Sequence, residues 1–169
     1  MEFDMYNDGA NRFRQSPRFR TAIRYQGLIF EAWKTLQDSE VPDYVDLGPL
    51  YVLTEYNSVI LNLPRQVGKT TSLVHILEQS VEDTILFTHN HNIARHIEYV
   101  MNPLPGSTIM SIHSVVNKFR GKTFKYKNIL FDEPGHYDRG AFADLIGVIS
   151  TNAPHELVRE IKIFGLGTS

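Results

Sequence analysis

The sequence predicts an α/β fold with a mainly parallel central sheet flanked by helices. Three observations carry that expectation. Short apolar runs alternate with helix-period segments from residue 58 onward. Gly68-Lys69-Thr70 stands between the first such run and the helix after it. Asp132-Glu133 closes another apolar run further on.

The elements follow in order. Residues 1–16 carry Asn, Asp, Gly and Gln without a clear period and read as a mobile arm. Residues 18–38 place Ile23, Leu28, Ile29, Trp33 and Leu36 on a helical stripe, which Gly27 weakens. Residues 39–57, with Pro42, Gly48 and Pro49, read mainly as a connector. Strands are expected at 58–63, 84–89, 107–112, 128–133 and 160–166, and helices at 70–80, 92–101 and 141–150. The expected organisation is an arm (1–16) and one domain (17–169). That domain divides into a helical lead-in (17–57) and a core (58–169).

Bulk properties narrow the class. The chain has 169 residues, 42% apolar and 21% charged, enough for one domain with a core. There is no apolar run of about 18 residues and no apolar signal core, so neither a membrane partner nor secretion is expected. With no cysteine there is no disulfide, no thiolate chemistry and no cysteine-held zinc. The net charge of −2 excludes a globally basic nucleic-acid binder but leaves local patches. Arg12, Arg14, Arg18, Arg20 and Arg24 form one patch; Lys118, Arg120, Lys122, Lys125 and Lys127 form another. Each reads either as a solvated face or as a contact to phosphates.

The chemistry concentrates in two motifs. In the first, Gly68 lets the backbone approach an anion at a helix N-terminus. Lys69 is placed to neutralise β- and γ-phosphates, and Thr70 to hold Mg²⁺. Alone, G-K-T is a weak signal, because a helix start can carry those residues by chance. The second motif raises its meaning. Asp132 at a strand end supplies the carboxylate that Mg²⁺ needs, and Glu133 a base or water-orienting group. Between Lys69 and Asp132 there is room for two strand–helix units. His89 and His91 have no cysteine beside them and read as a polar loop near the nucleotide cleft rather than a metal site. His136, shortly after the acidic strand, is a candidate neighbour of that cleft.

Pro64-Arg65-Gln66-Val67-Gly68-Lys69-Thr70-Thr71 resembles the variant Walker A loop of phage terminase large subunits, whose loops commonly read R-Q-x-G-K-[ST]-T. Leu63 thus departs from the general G-x-x-x-x-G-K-[ST] pattern but not from that family's. Phe119-Arg120-Gly121-Lys122-Thr123-Phe124 resembles the R-G-x-x-F element upstream of the family's acidic strand. Gly167-Thr168-Ser169 resembles its coupling motif, and Tyr25-Gln26 its aromatic-Gln adenine element. The likeness covers about residues 20–169.

The resemblance implies a RecA-like (ASCE) P-loop NTPase. In it Glu133, Arg65 and Arg120 are catalytic, with Arg120 a candidate arginine finger acting within or between subunits. Pro64 to Thr71 and Gln26 bind ATP, Thr70 and Asp132 hold Mg²⁺, and Gly167, Thr168 and Ser169 couple hydrolysis to motion. It implies an ATP hydrolase that drives double-stranded DNA into a procapsid, in the host cytoplasm at the portal. The implied partners are the portal and a small terminase subunit or separate nuclease. The working state is a homo-oligomeric ring, with a monomer in isolation. Family large subunits continue into a nuclease, and no nuclease carboxylate cluster is seen here, so a fragment, a split gene or a compact ATPase is expected. The competing assignments are a helicase-like or other nucleic-acid-dependent ATPase, and a nucleotide-binding regulatory or assembly module with little turnover.

Overall fold

Two strands set the plan of the molecule. β2 (Thr84–Thr88) and β4 (Asn128–Asp132) are buried at every position, the signature of parallel strands covered on both faces. They lie inside a five-stranded sheet with β1 (Ser58–Leu63), β3 (Thr108–Ser111) and β5 (Lys162–Thr168), ordered β1-β5-β4-β2-β3. All pairings are parallel. The computed structural model describes residues 17–41, 48, 51–65, 67–100 and 106–168. The arm expected at 1–16, and Gln66 and Ser169 of the expected motifs, lie outside the described residues.

Alternation along each strand feeds two cores. Leu86, Leu130 and Phe164 point to one face, where they meet Ile29 and Leu36 of α1 (Pro17–Gln37) and Leu73, Ile76 and Leu77 of α2 (Lys69–Gln79). Ala94 and Ile97 of α3 (His91–Val100) complete that layer. Ile85, Phe87, Ile129, Phe131 and Ile163 point to the other face. They pack under α4 (Val115–Phe119), α5 (Arg139–Asn152) and α6 (His155–Glu160). Each fully buried Phe or Leu here contributes about 1.5–3 kcal/mol. One strand, β5, thus separates the loop-bearing β1 from the carboxylate-bearing β4, which is the RecA-like arrangement of P-loop NTPases.

Several expected boundaries shift. The connector at 39–57 contains a π-helical turn, Val52–Tyr56, because Val52 and Leu53 are buried. The strand expected at 107–112 stops at Ser111, followed by a 3₁₀ turn and α4. α5 begins at 139 because the Asp138 carboxylate accepts from Ala141 N–H at 2.6 Å. α6, only six residues long, was not expected. The strand expected at 160–166 runs from Lys162 to Thr168, since its ladder with β1 continues to the pair Leu63–Thr168.

Register brings the expected site residues to one end. Leu63, Thr168, Asp132 and Thr88 close four parallel strands at their carboxyl ends, where ligands of open α/β sheets bind. α1 crosses one face of the sheet, from Gln26 beside Gly68 to Gln37 beside Asn128 at the start of β4. Trp33 of α1 meets Phe164 of β5 edge-on, with ring centroids 5.5 Å apart. Gly27 sits in mid-helix in open space.

Candidate functional site: a phosphate cleft at the strand ends

A cleft of about 510 Å³ opens at these strand ends, lined by Arg65, Gly68, Lys69, Thr70, Thr71, Glu133, His136 and Thr168. Gly68 begins α2 with φ 81°, a left-handed conformation that glycine adopts without steric cost. Val67, 4% exposed, anchors the loop in the core.

Lys69 is buried, and its ammonium is fully engaged. It lies 3.1 Å from Glu133 Oε1. It donates to Pro64 O at 3.2 Å, Leu63 O at 3.4 Å and Thr168 Oγ1 at 3.0 Å. The Thr168 hydroxyl in turn donates to both Glu133 oxygens at 2.7 Å. Beside this group the Thr70 hydroxyl donates to the Asp132 carboxylate, at 3.0 Å from Oδ1 and 3.1 Å from Oδ2.

The two neighbouring carboxylates are tuned apart. Burial pushes Asp132 above the usual carboxylate range, and the Glu133 charge adds to that. The Thr70 hydroxyl, His89 and Lys69 oppose the rise. Burial also acts to raise Glu133, but the Thr168 hydroxyl and Lys69 outweigh it and hold Glu133 below its ordinary value.

Glu133 has a strained backbone, with φ 55° and ψ 57°, the only non-glycine residue at positive φ among the described residues. Its N–H donates to Leu166 O at 2.9 Å, which extends the β4–β5 ladder one step beyond Asp132 before the chain turns. Gly165 and Gly167 make room for β1 side chains: a Cβ on Gly165 would sit 2.5 Å from Ile60 Cδ1 and 3.3 Å from Pro134 Cγ, and one on Gly167 2.5 Å from Asn62 Oδ1. Tyr137 closes the far side. Its hydroxyl donates to Asp132 O at 2.9 Å and Phe87 O at 2.8 Å, tying β4 to β2, and burial raises its pKa.

The expected site residues divide. Pro64, Arg65, Gly68, Lys69, Thr70, Thr71, Asp132, Glu133 and Thr168 converge at the cleft or directly behind it. Gln26 joins them: its Nε2 lies 3.7 Å from where a Gly68 Cβ would be. Gly167 lies one residue inside β5, its Cα face filled by Asn62.

Arg120 is not brought there. It is exposed, in the turn after α4. That turn is tied to the end of α5 by Asn152, whose side-chain amide donates to Phe119 O and Lys122 O at 2.7 Å each. The 14 residues of α5 start near the cleft and run about 21 Å away from it. Of the basic patch around Arg120, Lys125 pairs with Asp83 and Lys127 with Glu82 and Glu160. Of the early arginines, only Arg24 has a described side chain, and it is exposed.

The donor set fits a magnesium nucleotide. A hydroxyl paired with a carboxylate, a lysine and a left-handed glycine at a helix start are the groups that a hydrated Mg²⁺ and its phosphates use. No group of three or more His, Cys, Asp or Glu that could hold a metal alone occurs among the described residues.

Neither a protein-family model nor a curated protein matches the sequence. Among solved structures the fold is similar to the UvsW helicase from bacteriophage T4, with a TM-score of 0.48 and 11% identity. The match covers 83% of this chain and 59% of that one, so the chain spans little more than half of that helicase. At this score and identity the likeness speaks to neither substrate nor reaction. No helix of the described residues is long and apolar enough to cross a membrane.

Proposed function

We propose that the chain is the ATPase motor domain of a viral DNA-packaging terminase, hydrolysing ATP to drive double-stranded DNA into a procapsid at its portal. The observation that carries the enzymatic part is the convergence of Lys69, Thr70, Asp132, Glu133 and Thr168 within hydrogen-bond distance of one another. A site built only to bind nucleotide has no use for a second carboxylate in a strained backbone position beside the lysine. That favours turnover over a regulatory or assembly module.

The proposed residue roles combine this geometry with the resemblance. Lys69 exchanges its contact with Glu133 for the nucleotide's β- and γ-phosphates. Glu133, released from the lysine but still held by the Thr168 hydroxyl, orients the attacking water and accepts its proton. Thr70 and Asp132 would hold Mg²⁺, which would supply positive charge to the phosphate oxygens. Arg65 is placed in the cleft wall to stabilise charge on the transferred group. Gln26 of α1, beside the loop, contacts the adenine. Gly167, Thr168 and Ser169 carry the change at Glu133 into β5 and beyond. Arg120, remote from its own cleft, serves a neighbouring subunit in a homo-oligomeric ring.

The terminase assignment rests on the Pro64–Thr71 loop and the Phe119–Phe124 element. With it come the host cytoplasm, the portal and a small terminase subunit or separate nuclease as partners. The competing assignment is a helicase-like ATPase, and the form of DNA that stimulates hydrolysis decides between them. ATP turnover is measured with linear duplex and with single-stranded DNA of equal length. Stimulation by duplex supports the packaging motor. Stimulation by single strands alone rejects it in favour of the helicase-like enzyme.

A further inference from the structure

β1 stands at one edge of the sheet and is paired, among the described residues, on its β5 side only. Its six residues, Ser58 to Leu63, carry no charge and no proline, and their ladder with β5 runs one to one without a bulge. Those are the devices by which edge strands avoid pairing with other chains. An edge without them is a template for a further strand.

The ladder shows which backbone groups are left over. Ile163 N–H donates to Asn57 O at 2.7 Å, and Ser58 stands opposite Ile163. In a parallel ladder of that phase Val59, Leu61 and Leu63 turn their backbone groups to β5. The N–H and C=O of Ser58, Ile60 and Asn62 therefore face the open edge, where no described backbone group meets them. The Ile60 side chain lies across Gly165, its Cδ1 2.5 Å from where a Cβ would be, and is still 44% exposed.

The polarity of the strand selects the occupant. About Ile60 it is symmetric: Val59 and Leu61 flank it, and Ser58 and Asn62 lie beyond them. A second β1 laid antiparallel, with a two-fold axis through Ile60, sets Ile60 against Ile60, Val59 against Leu61 and Ser58 against Asn62. Apolar then meets apolar and polar meets polar. Each free N–H and C=O of Ser58, Ile60 and Asn62 also finds its counterpart. Moving the axis to Leu61 sets Ile60 against Asn62, and Ser58 against Pro64, which has no N–H to give.

We propose that β1 is a self-pairing edge through which two copies of the chain join antiparallel into one continuous sheet, with Ile60 on the two-fold axis. The strands of the two copies run in opposite directions, so their phosphate clefts lie at opposite ends of the joined sheet. Such a pair closes on itself and is distinct from the head-to-tail contacts of a ring. It does not depend on what the cleft binds.

The chain has no cysteine, so single-cysteine variants report the register directly. In a hydrogen-bonded antiparallel pair the Cα atoms lie about 5.5 Å apart, within disulfide reach. Under the same oxidant, Ile60→Cys should cross-link about tenfold faster or more than Ser58→Cys, whose two copies lie roughly 14 Å apart along the edge. An equal mixture of Ser58→Cys and Asn62→Cys should cross-link readily. In sedimentation the unaltered chain should show a monomer–dimer equilibrium. Ile60→Lys and Ile60→Glu should each be monomeric, because like charges face each other on the axis, and their mixture should associate again. Loss of fold in either charge variant leaves the cysteine pairs to decide. A monomer at every concentration, association that survives in Ile60→Lys, or equal cross-linking of Ile60→Cys and Ser58→Cys would overturn the proposal. So would Ile60 and Asn62 amides protected from hydrogen exchange at every dilution, which would give the edge to a segment of the same chain.

Discussion

The Lys69 ammonium lies 3.1 Å from the Glu133 carboxylate, and the Thr168 hydroxyl touches both. Two groups proposed for different ligands, one for phosphate and the other for water, hold each other in this structure. If phosphate draws Lys69 away, it also frees Glu133. The following consequences are measurable.

Glu133→Gln keeps the shape of the carboxylate but cannot accept a proton. Turnover should fall about 10²- to 10⁴-fold, the usual contribution of a general base. Nucleotide binding should persist or tighten, because Lys69 loses its competing charge. Equilibrium binding beside steady-state hydrolysis separates the two effects. The same variant carries a pH signature. Glu133 titrates below its ordinary value near 4.5, so its stabilising contribution is present above that value and is lost as pH falls through the lower folded value. Acid unfolding of Glu133→Gln should therefore lack that part of the slope.

Asp132→Asn should stabilise the nucleotide-free protein. Burial raises the Asp132 pKa, so at neutral pH its ionised form opposes folding. Removing the charge should add about 1 kcal/mol, or roughly 2–4 °C in Tm for a chain of this size. The gain should be accompanied by loss of the Mg²⁺-dependent part of nucleotide binding. Thermal melts with and without Mg-ADP check both; a lower Tm in the free protein contradicts the assignment.

Thr168→Val removes the hydroxyl that spans Lys69 and Glu133 while keeping the side-chain volume. Turnover should drop by at least tenfold, with nucleotide Kd changed by less than about threefold, since Thr168 orients the base rather than the phosphates. Thr168→Ser should restore most of the rate. A larger change in Kd than in rate would assign Thr168 to ground-state binding instead.

Arg120→Ala should leave nucleotide binding untouched, because Arg120 lies at the far end of α5 from its own cleft. If Arg120 serves a neighbouring subunit, the variant should lose turnover only at concentrations where the chain self-associates. Mixing it with Lys69→Ala chains should then recover some activity from mixed interfaces. Loss at every dilution would place its action within one chain.

Much of this was legible in the sequence because the relevant signals are local. Strand runs such as Ile85-Leu86-Phe87 and Ile129-Leu130-Phe131 are apolar at every position since both faces are covered, and that needs no long-range knowledge. Lys69, Thr70, Asp132 and Glu133 stand at element boundaries that the periodicity already marks. What was not legible depends on register or on the third dimension. Nothing near Arg120 in sequence reports that Asn152 pins its turn away from the cleft. Gln26 was expected only through its resemblance to an adenine element; it lies far along the chain from Gly68, and the packing of α1 across β5 brings them together. Tyr137, which ties β4 to β2, carries no motif at all. The short helices α4 and α6 fall below the length at which a helical period can be read.

The central claim is that this cleft hydrolyses ATP with Glu133 as the base. The most direct measurement is Mg²⁺-dependent ATP hydrolysis by the purified chain over a concentration series, beside Lys69→Ala and Glu133→Gln. Turnover should rise with concentration, vanish in Lys69→Ala through lost binding, and vanish in Glu133→Gln with binding intact. Turnover that survives in Glu133→Gln, or nucleotide bound by the unaltered chain without hydrolysis at any concentration, would contradict it.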